Sequence, residues 1–399
     1  MASLLRPHEP VSSPSPAVPG FALWQLGFRP FYLVASLFAA LSVPLWVAQF
    51  AGVLPRPLLA GSLWHAHEMV FGFTLAVVVG FLFTAGRNWS GQPTPTGRSL
   101  QALVLLWLLA RVLVLTPFAW AAAISNAAFP LAAAVGLARA LGAGRNRRNY
   151  FFVALLAMLS PAALVVHLEA MGLDWAPGRV GVQVAMDVVL FMLAVMGGRV
   201  IPMFTNNALP GTGAQRRPWL ERLALGGVLA LLAADLLPWH GVPLAVLAGL
   251  AALAHAARLA LWRLWKTLRT PLLWVLHAGY AWIPVHLLLR AAAELGWLAS
   301  SPATHALTAG AIGGLIIGMI TRTARGHTGR PLAADRWDVA CYTLVLGAAA
   351  VRVVLPLVVP AAYLPALMGS ALLWAAGFGL YAVRYWPVLS RARADGKPG

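Results

Sequence analysis

Trp64-His65-Ala66-His67-Glu68-Met69 sets two imidazoles and a carboxylate at the mouth of an apolar run that continues to Gly86. Ionisable side chains are costly inside a bilayer, so they face a protein interior and serve an ion, a proton or a cofactor. Neutral imidazole suits copper and iron, and pairs of imidazoles hold haem iron. Positions i and i+2 of a helix point about 200° apart. His65 and His67 therefore do not share one ion on a regular helix. Either one is a ligand and the other a hydrogen-bond partner, or the helix begins after them, or two separate centres exist. Glu68, three residues after His65, is spaced to fix the tautomer of that ring from behind. The bland alternative puts Trp64 and His65 at headgroup level with Glu68 in water.

His305 opens a second segment, followed by Ala306, Gly310, Gly313, Gly314 and Gly318. Such a bare helix face permits close packing against a neighbour, or leaves room for a flat porphyrin. An imidazole from residues 65–67 and one from His305 at similar depth would form a bis-His haem site. His167 beside Glu169, and His286 one turn before Arg290, are further imidazoles for copper, although each alone also reads as structural. The only cysteine, Cys341, lies in an apolar run, which excludes a Cys-x-x-Cys-His haem attachment, a disulfide framework and a thiolate cluster. His277 and His286 lie on opposite faces about 13 Å apart along a helix and share no ion. Asp187 and Arg199, about 18 Å apart along one helix, are no direct pair; they serve proton movement or pair with neighbours.

These residues need a container, and composition says which kind. Sixty per cent of the 399 residues are hydrophobic and 10% charged, against roughly 25% charged in an ordinary soluble domain. The formal charge of +18 is spread between apolar blocks, as topology signals are, and not gathered in a patch for nucleic acid. A bilayer core needs about 20 apolar residues per helix. On that rule the chain is all-α, a polytopic membrane protein of about twelve helices near 30–50, 64–86, 99–116, 119–141, 150–170, 180–204, 219–238, 242–264, 271–293, 303–323, 337–358 and 361–386. Residues 1–29 read as a disordered tail with no signal peptide, 30–386 as one transmembrane domain and 387–399 as a basic tail.

Charge tests the count independently. Alternate connecting segments hold 23 of the 29 Lys and Arg, the opposite side only Arg56, Arg179, Arg290 and Arg352, while Arg111 and Arg199 fall within spans. Basic loops stay cytoplasmic, so both termini are cytoplasmic. His65, His67, His167, Glu169, Asp187, His286, Arg290 and His305 then share the outer half, His255 and His277 lie nearer the inner face, and His327 is in a cytoplasmic loop. Its neighbours Arg325 and Arg330 could bind a lipid phosphate, though any cytoplasmic loop shows such charge. Spans 2, 6 and 10 each carry an ionisable residue in their outer part and leave through a Gly-rich, basic or Asn-bearing exit. His67, Asp187 and His305 are spaced as three quasi-repeated four-helix units would space them; chance in a Gly/Ala/Leu-rich chain gives the same spacing. Haem–copper oxidases offer an analogy, with haem-ligating His on their second and tenth helices.

The runs Gly27-Phe28-Arg29-Pro30-Phe31, Trp64-His65-Ala66-His67-Glu68-Met69 with Gly72-Phe73, Gly198-Arg199-Val200-Ile201-Pro202-Met203-Phe204-Thr205-Asn206, and His305-Ala306-Leu307-Thr308-Ala309-Gly310-Ala311 through Gly326-His327-Thr328-Gly329-Arg330 resemble the NnrS family in order and position. That family comprises polytopic bacterial inner-membrane proteins that contain haem and copper and are linked to nitric oxide and denitrification. The resemblance implies a role in nitric oxide tolerance or response, with membrane lipid and nitric oxide or a related small molecule as partners; it does not settle whether the protein is catalytic. It carries over His65, His67, His305 and His327 as ligand candidates, with His167 and His277 behind them, and Glu68, Asp187 and Arg199 around the site. About 33 Å of helix separates His327 from His305, so His327 belongs to another site or to none. With no His-His pair and no His on span 6, an oxidase-type binuclear centre is in doubt. A proton-coupled twelve-helix transporter and a haem–copper-oxidase-like respiratory enzyme are the competing readings.

Overall fold

Backbone amides find no partner in hydrocarbon, so each apolar run closes its own hydrogen bonds as a helix. The computed structural model describes residues 20–54, 59, 61–173, 175, 178–237 and 239–397; Arg56 and residues 1–19 of the expected tail lie outside them. Twelve helices follow: α1 (Phe28–Phe50), α2 (Gly61–Ser90), α3 (Gly97–Leu113), α4 (Ala119–Ala143), α5 (Phe151–Ala170) and α6 (Gly178–Ala208), then α7 (Pro218–Leu236), α8 (Val242–Leu261), α9 (Pro271–Glu294), α10 (Ser300–His327), α11 (Arg336–Val358) and α12 (Tyr363–Ser390). The described residues hold no strand, only an isolated bridge between Phe21 and Arg391. Each helix matches one expected span. Ten are long and apolar enough to cross a membrane. The others fall short for visible reasons: α3 has 17 residues, and α7 carries Glu221, Arg222 and Asp235.

Consecutive helices pack side by side for most of the chain, and α1 lies along α12, closing the bundle. Three helices are set apart by burial. The apolar stretches of α2, α6 and α10 are 78%, 72% and 72% buried, against 39–61% for the other membrane-length helices. The helices marked by the sequence repeat are thus the three in the middle. α6 touches both α2 and α10.

α2 and α10 share a second feature. Each switches from α- to π-helical winding just after its histidines, over Glu68–Thr74 and Ala306–Ile312. Such stretches are rare and concentrate at functional sites. The bare face of α10 is filled by neighbours: a Cβ on Gly314 would lie 2.9 Å from Gly279 Cα of α9, and one on Gly313 would lie 2.6 Å from the Trp374 ring of α12. Close packing therefore takes up these glycines, and a porphyrin has no room on that face.

An even number of helices brings the two chain ends to one end of the bundle. There Ala22 N donates to Ser390 O at 2.7 Å, Arg29 Nη1 donates to Leu389 O at 2.9 Å, and Ala394 N donates to Thr328 O at 2.9 Å. The loop before α11 is held as well. Asp335 and Asp338 form a reciprocal cap on α11, and Arg325 donates to Asp338 Oδ2 at 2.6 Å and to Asp335 Oδ2 at 3.1 Å. Arg325 is thereby committed to carboxylates of the chain itself.

Candidate functional site

Opposite the chain ends lies the histidine end. His65 on α2 and His305 on α10 line one crevice, with rings nearly parallel (13°) and centroids 6.4 Å apart. A metal about 2.0–2.1 Å from one nitrogen of each of two imidazoles on its opposite sides places their ring centroids about 6 Å apart. The spacing suits one ion between them. His305 Nδ1 donates to Ser301 O at 2.8 Å, which leaves Nε2 with its lone pair. His65 stacks on Trp46 of α1 at 4.4 Å, and its Nδ1 is buried with no hydrogen-bond partner among the described residues. Trp46 is fixed in turn by donating to Gly61 O at 3.1 Å.

The crevice is partly open and walled by Met69, Val70 and Phe73 of α2, Leu367 and Trp374 of α12, and Arg352 of α11. Arg352 is buried; among the described residues its hydrogen bonds go only to the hydroxyls of Ser301 and Tyr363, both at 3.4 Å, it lies over the Tyr363 ring at 5.1 Å, and it meets no carboxylate. A buried guanidinium without an anion is costly. The crevice therefore presents two imidazoles, apolar walls and one unmatched positive charge.

His67 faces the other way. Its ring meets His167 of α5 edge to face, centroids 4.8 Å apart, and Nε2 of both rings is buried without a hydrogen-bond partner among the described residues. His67 Nδ1 lies 2.7 Å from Glu68 Oε1, and Arg111 Nη1 of α3 lies 2.5 Å from the same oxygen. Arg111 also donates to Asn126 Oδ1 of α4. Gly72 makes this possible, since a Cβ there would stand 2.9 Å from Arg111 Nη1. His65 and His67 thus stand on opposite sides of α2, each beside an imidazole of another helix. The partner expected for Glu68 changes: it holds His67, not His65, because Arg111 draws the carboxylate to that side.

The remaining candidates lie apart. His277 on α9 bonds the Leu273 carbonyl at 3.0 Å, and His327 packs on the Phe28 ring at 5.6 Å, at the end that holds the chain termini. Asp187 lies 3.6 Å from Arg290, and Arg199 donates to Asn149 Oδ1 at 2.8 Å, so the two are not paired, as expected. His286 Nδ1 donates to Ala303 O at 2.8 Å, and Glu169 accepts from Gly178 N, fixing the start of α6. Sequence reasoning left Arg111 as a charge within a span and Arg352 as an outer-side cation. An arginine at membrane depth is itself a functional signal, and both turn out to stand at the histidines.

Among the described residues no group of three or more His, Cys, Asp or Glu is arranged to hold a metal. The histidines meet in two pairs, His65 with His305 and His67 with His167. No curated protein matches the chain. The family described as NnrS protein matches residues 22–393, nearly the whole length, and the chain belongs to the NnrS family.

Proposed function

We propose that this protein binds haem and copper in the bacterial inner membrane, with both termini cytoplasmic, and serves the response to or tolerance of nitric oxide. The observation that carries this reading is the near-parallel pair His65–His305, delivered by two central helices into one crevice beside Arg352. The residues present fit haem: His65 and His305 would hold the iron, Arg352 would meet a propionate, and Phe73 and Trp374 would flank the ring. Haem bound there would supply a redox-active iron. His67 and His167 fit copper, which imidazole suits when no thiolate is at hand.

The work of the surrounding chain follows from its hydrogen bonds. Glu68 accepts a hydrogen bond from Nδ1–H of His67, which leaves the lone pair on Nε2, and Arg111 holds the Glu68 carboxylate in place. Ser301 O does the same for His305. The mostly apolar walls of the crevice suit an uncharged gas better than an ion.

The test is the absorption spectrum and metal content of the purified protein, before and after addition of nitric oxide. A Soret band that shifts with nitric oxide, together with bound copper, is expected. A colourless, metal-free protein would overturn the reading and leave the transporter hypothesis standing.

A further inference from the structure

At the histidine end, away from both imidazole pairs, three ionisable side chains from three helices converge. Asp187 comes from α6, Asp235 from the last turn of α7 and Arg290 from the last turns of α9. Arg290 Nη2 donates to Asp235 Oδ1, and its Nη1 lies 3.6 Å from Asp187 Oδ1. Gln183 Nε2 spans the two acids, 3.2 Å from Asp187 Oδ1 and 3.3 Å from Asp235 Oδ2. The nearby groups do not add a second cation. Glu294, one turn beyond Arg290, accepts from Gly241 N and lies 4.0 Å from the exposed His240, and His286, one turn before, spends Nδ1 on Ala303 O.

Charge therefore fails to balance. Two carboxylates face one guanidinium, and the second is the deeper one: Asp187 is 0% exposed, with Oδ2 buried and unpartnered among the described residues. An ionised carboxylate in such a place costs far more than a neutral carboxyl group, and two acids sharing a site retain one proton between them. We propose that Asp187 and Asp235 together bind one proton at neutral pH, carried as the carboxyl group of Asp187, and that this trio is a proton-binding site within the membrane domain. Asp235, whose side chain is 9% exposed against 0% for Asp187, is the side through which the proton exchanges with water. Release leaves both acids ionised around Arg290; uptake restores the neutral carboxyl group. Neither step involves electrons or a metal, so the site stands whether or not the imidazole pairs bind one.

Infrared spectroscopy of the full-length protein in lipid, in H₂O and D₂O at neutral pH, tests this. A carbonyl stretch of a protonated carboxylic acid is expected, shifted in D₂O and lost in Asp187→Asn. It is equally lost in Asp235→Asn, because one carboxylate then faces one guanidinium. Glu68→Gln leaves it in place. Should Asp187→Asn fail to fold, Asp235→Asn and a pH titration of the unsubstituted protein decide, the band having to vanish reversibly at high pH. A band that survives both substitutions would overturn the proposal. So would the absence of any such band with carboxylate stretches that respond to added sodium, which would make this a cation site.

Discussion

At the scale of single residues, the carboxylate of Glu68 decides what His67 can do. It is buried and shares one oxygen between an imidazole and a guanidinium. Breaking one side of a buried pair strands a charge, whereas removing both sides does not. Arg111→Leu is expected to destabilise the protein by about 3–5 kcal/mol, and Glu68→Gln combined with Arg111→Leu by much less than the sum of the two single changes. Chemical denaturation in detergent measures both; strict additivity would mean that the pair is not coupled. The opposed faces of His65 and His67 were readable from helix periodicity alone. The true partner of Glu68 was not, because it is set by Arg111, 43 positions away on another helix. Arg352 was hidden for the same reason: its distance from Ser301 in sequence says nothing of their meeting at 3.4 Å.

At the scale of elements, hydropathy was enough to place all twelve helices, since length in a bilayer is fixed by thickness. Boundaries moved by a few residues, as at α3, which ends at Leu113 instead of 116. The two π-helical stretches had no signal in apolar periodicity, yet they set the direction of His65 and His67 against the remainder of α2, and of His305 against α10. A π turn amounts to one residue beyond what an α-helix would hold. Deleting Ala309 should restore α-winding in α10 and rotate His305 by about 100° relative to Gly313 and beyond. Helix content by circular dichroism is expected to stay unchanged while bound haem is lost; full haem occupancy in that variant would show that the winding does not aim the ring.

At the scale of the whole molecule, the three helices that carry ionisable residues at matching depth are also the three most buried. That coincidence explains why a chain with so few charges places several of them where they are most expensive. The inner three supply His65, His67, His305 and Asp187, and the outer helices supply both apolar walls and the partners His167, Arg111, Arg352, Asp235 and Arg290. The repeat was legible as a spacing of His67, Asp187 and His305, but its meaning as a central triad emerges only from packing. The use made of each position differs: α2 serves two imidazole pairs, α10 one and α6 none.

We propose that His65 and His305 together would hold one haem iron. Electron paramagnetic resonance of the oxidised, haem-loaded protein tests it most directly. A low-spin signal of two nearly parallel imidazoles is expected in the unsubstituted protein, converting to high spin in His65→Ala and in His305→Ala but persisting in His67→Ala. A low-spin signal left unchanged by both His65→Ala and His305→Ala would contradict it.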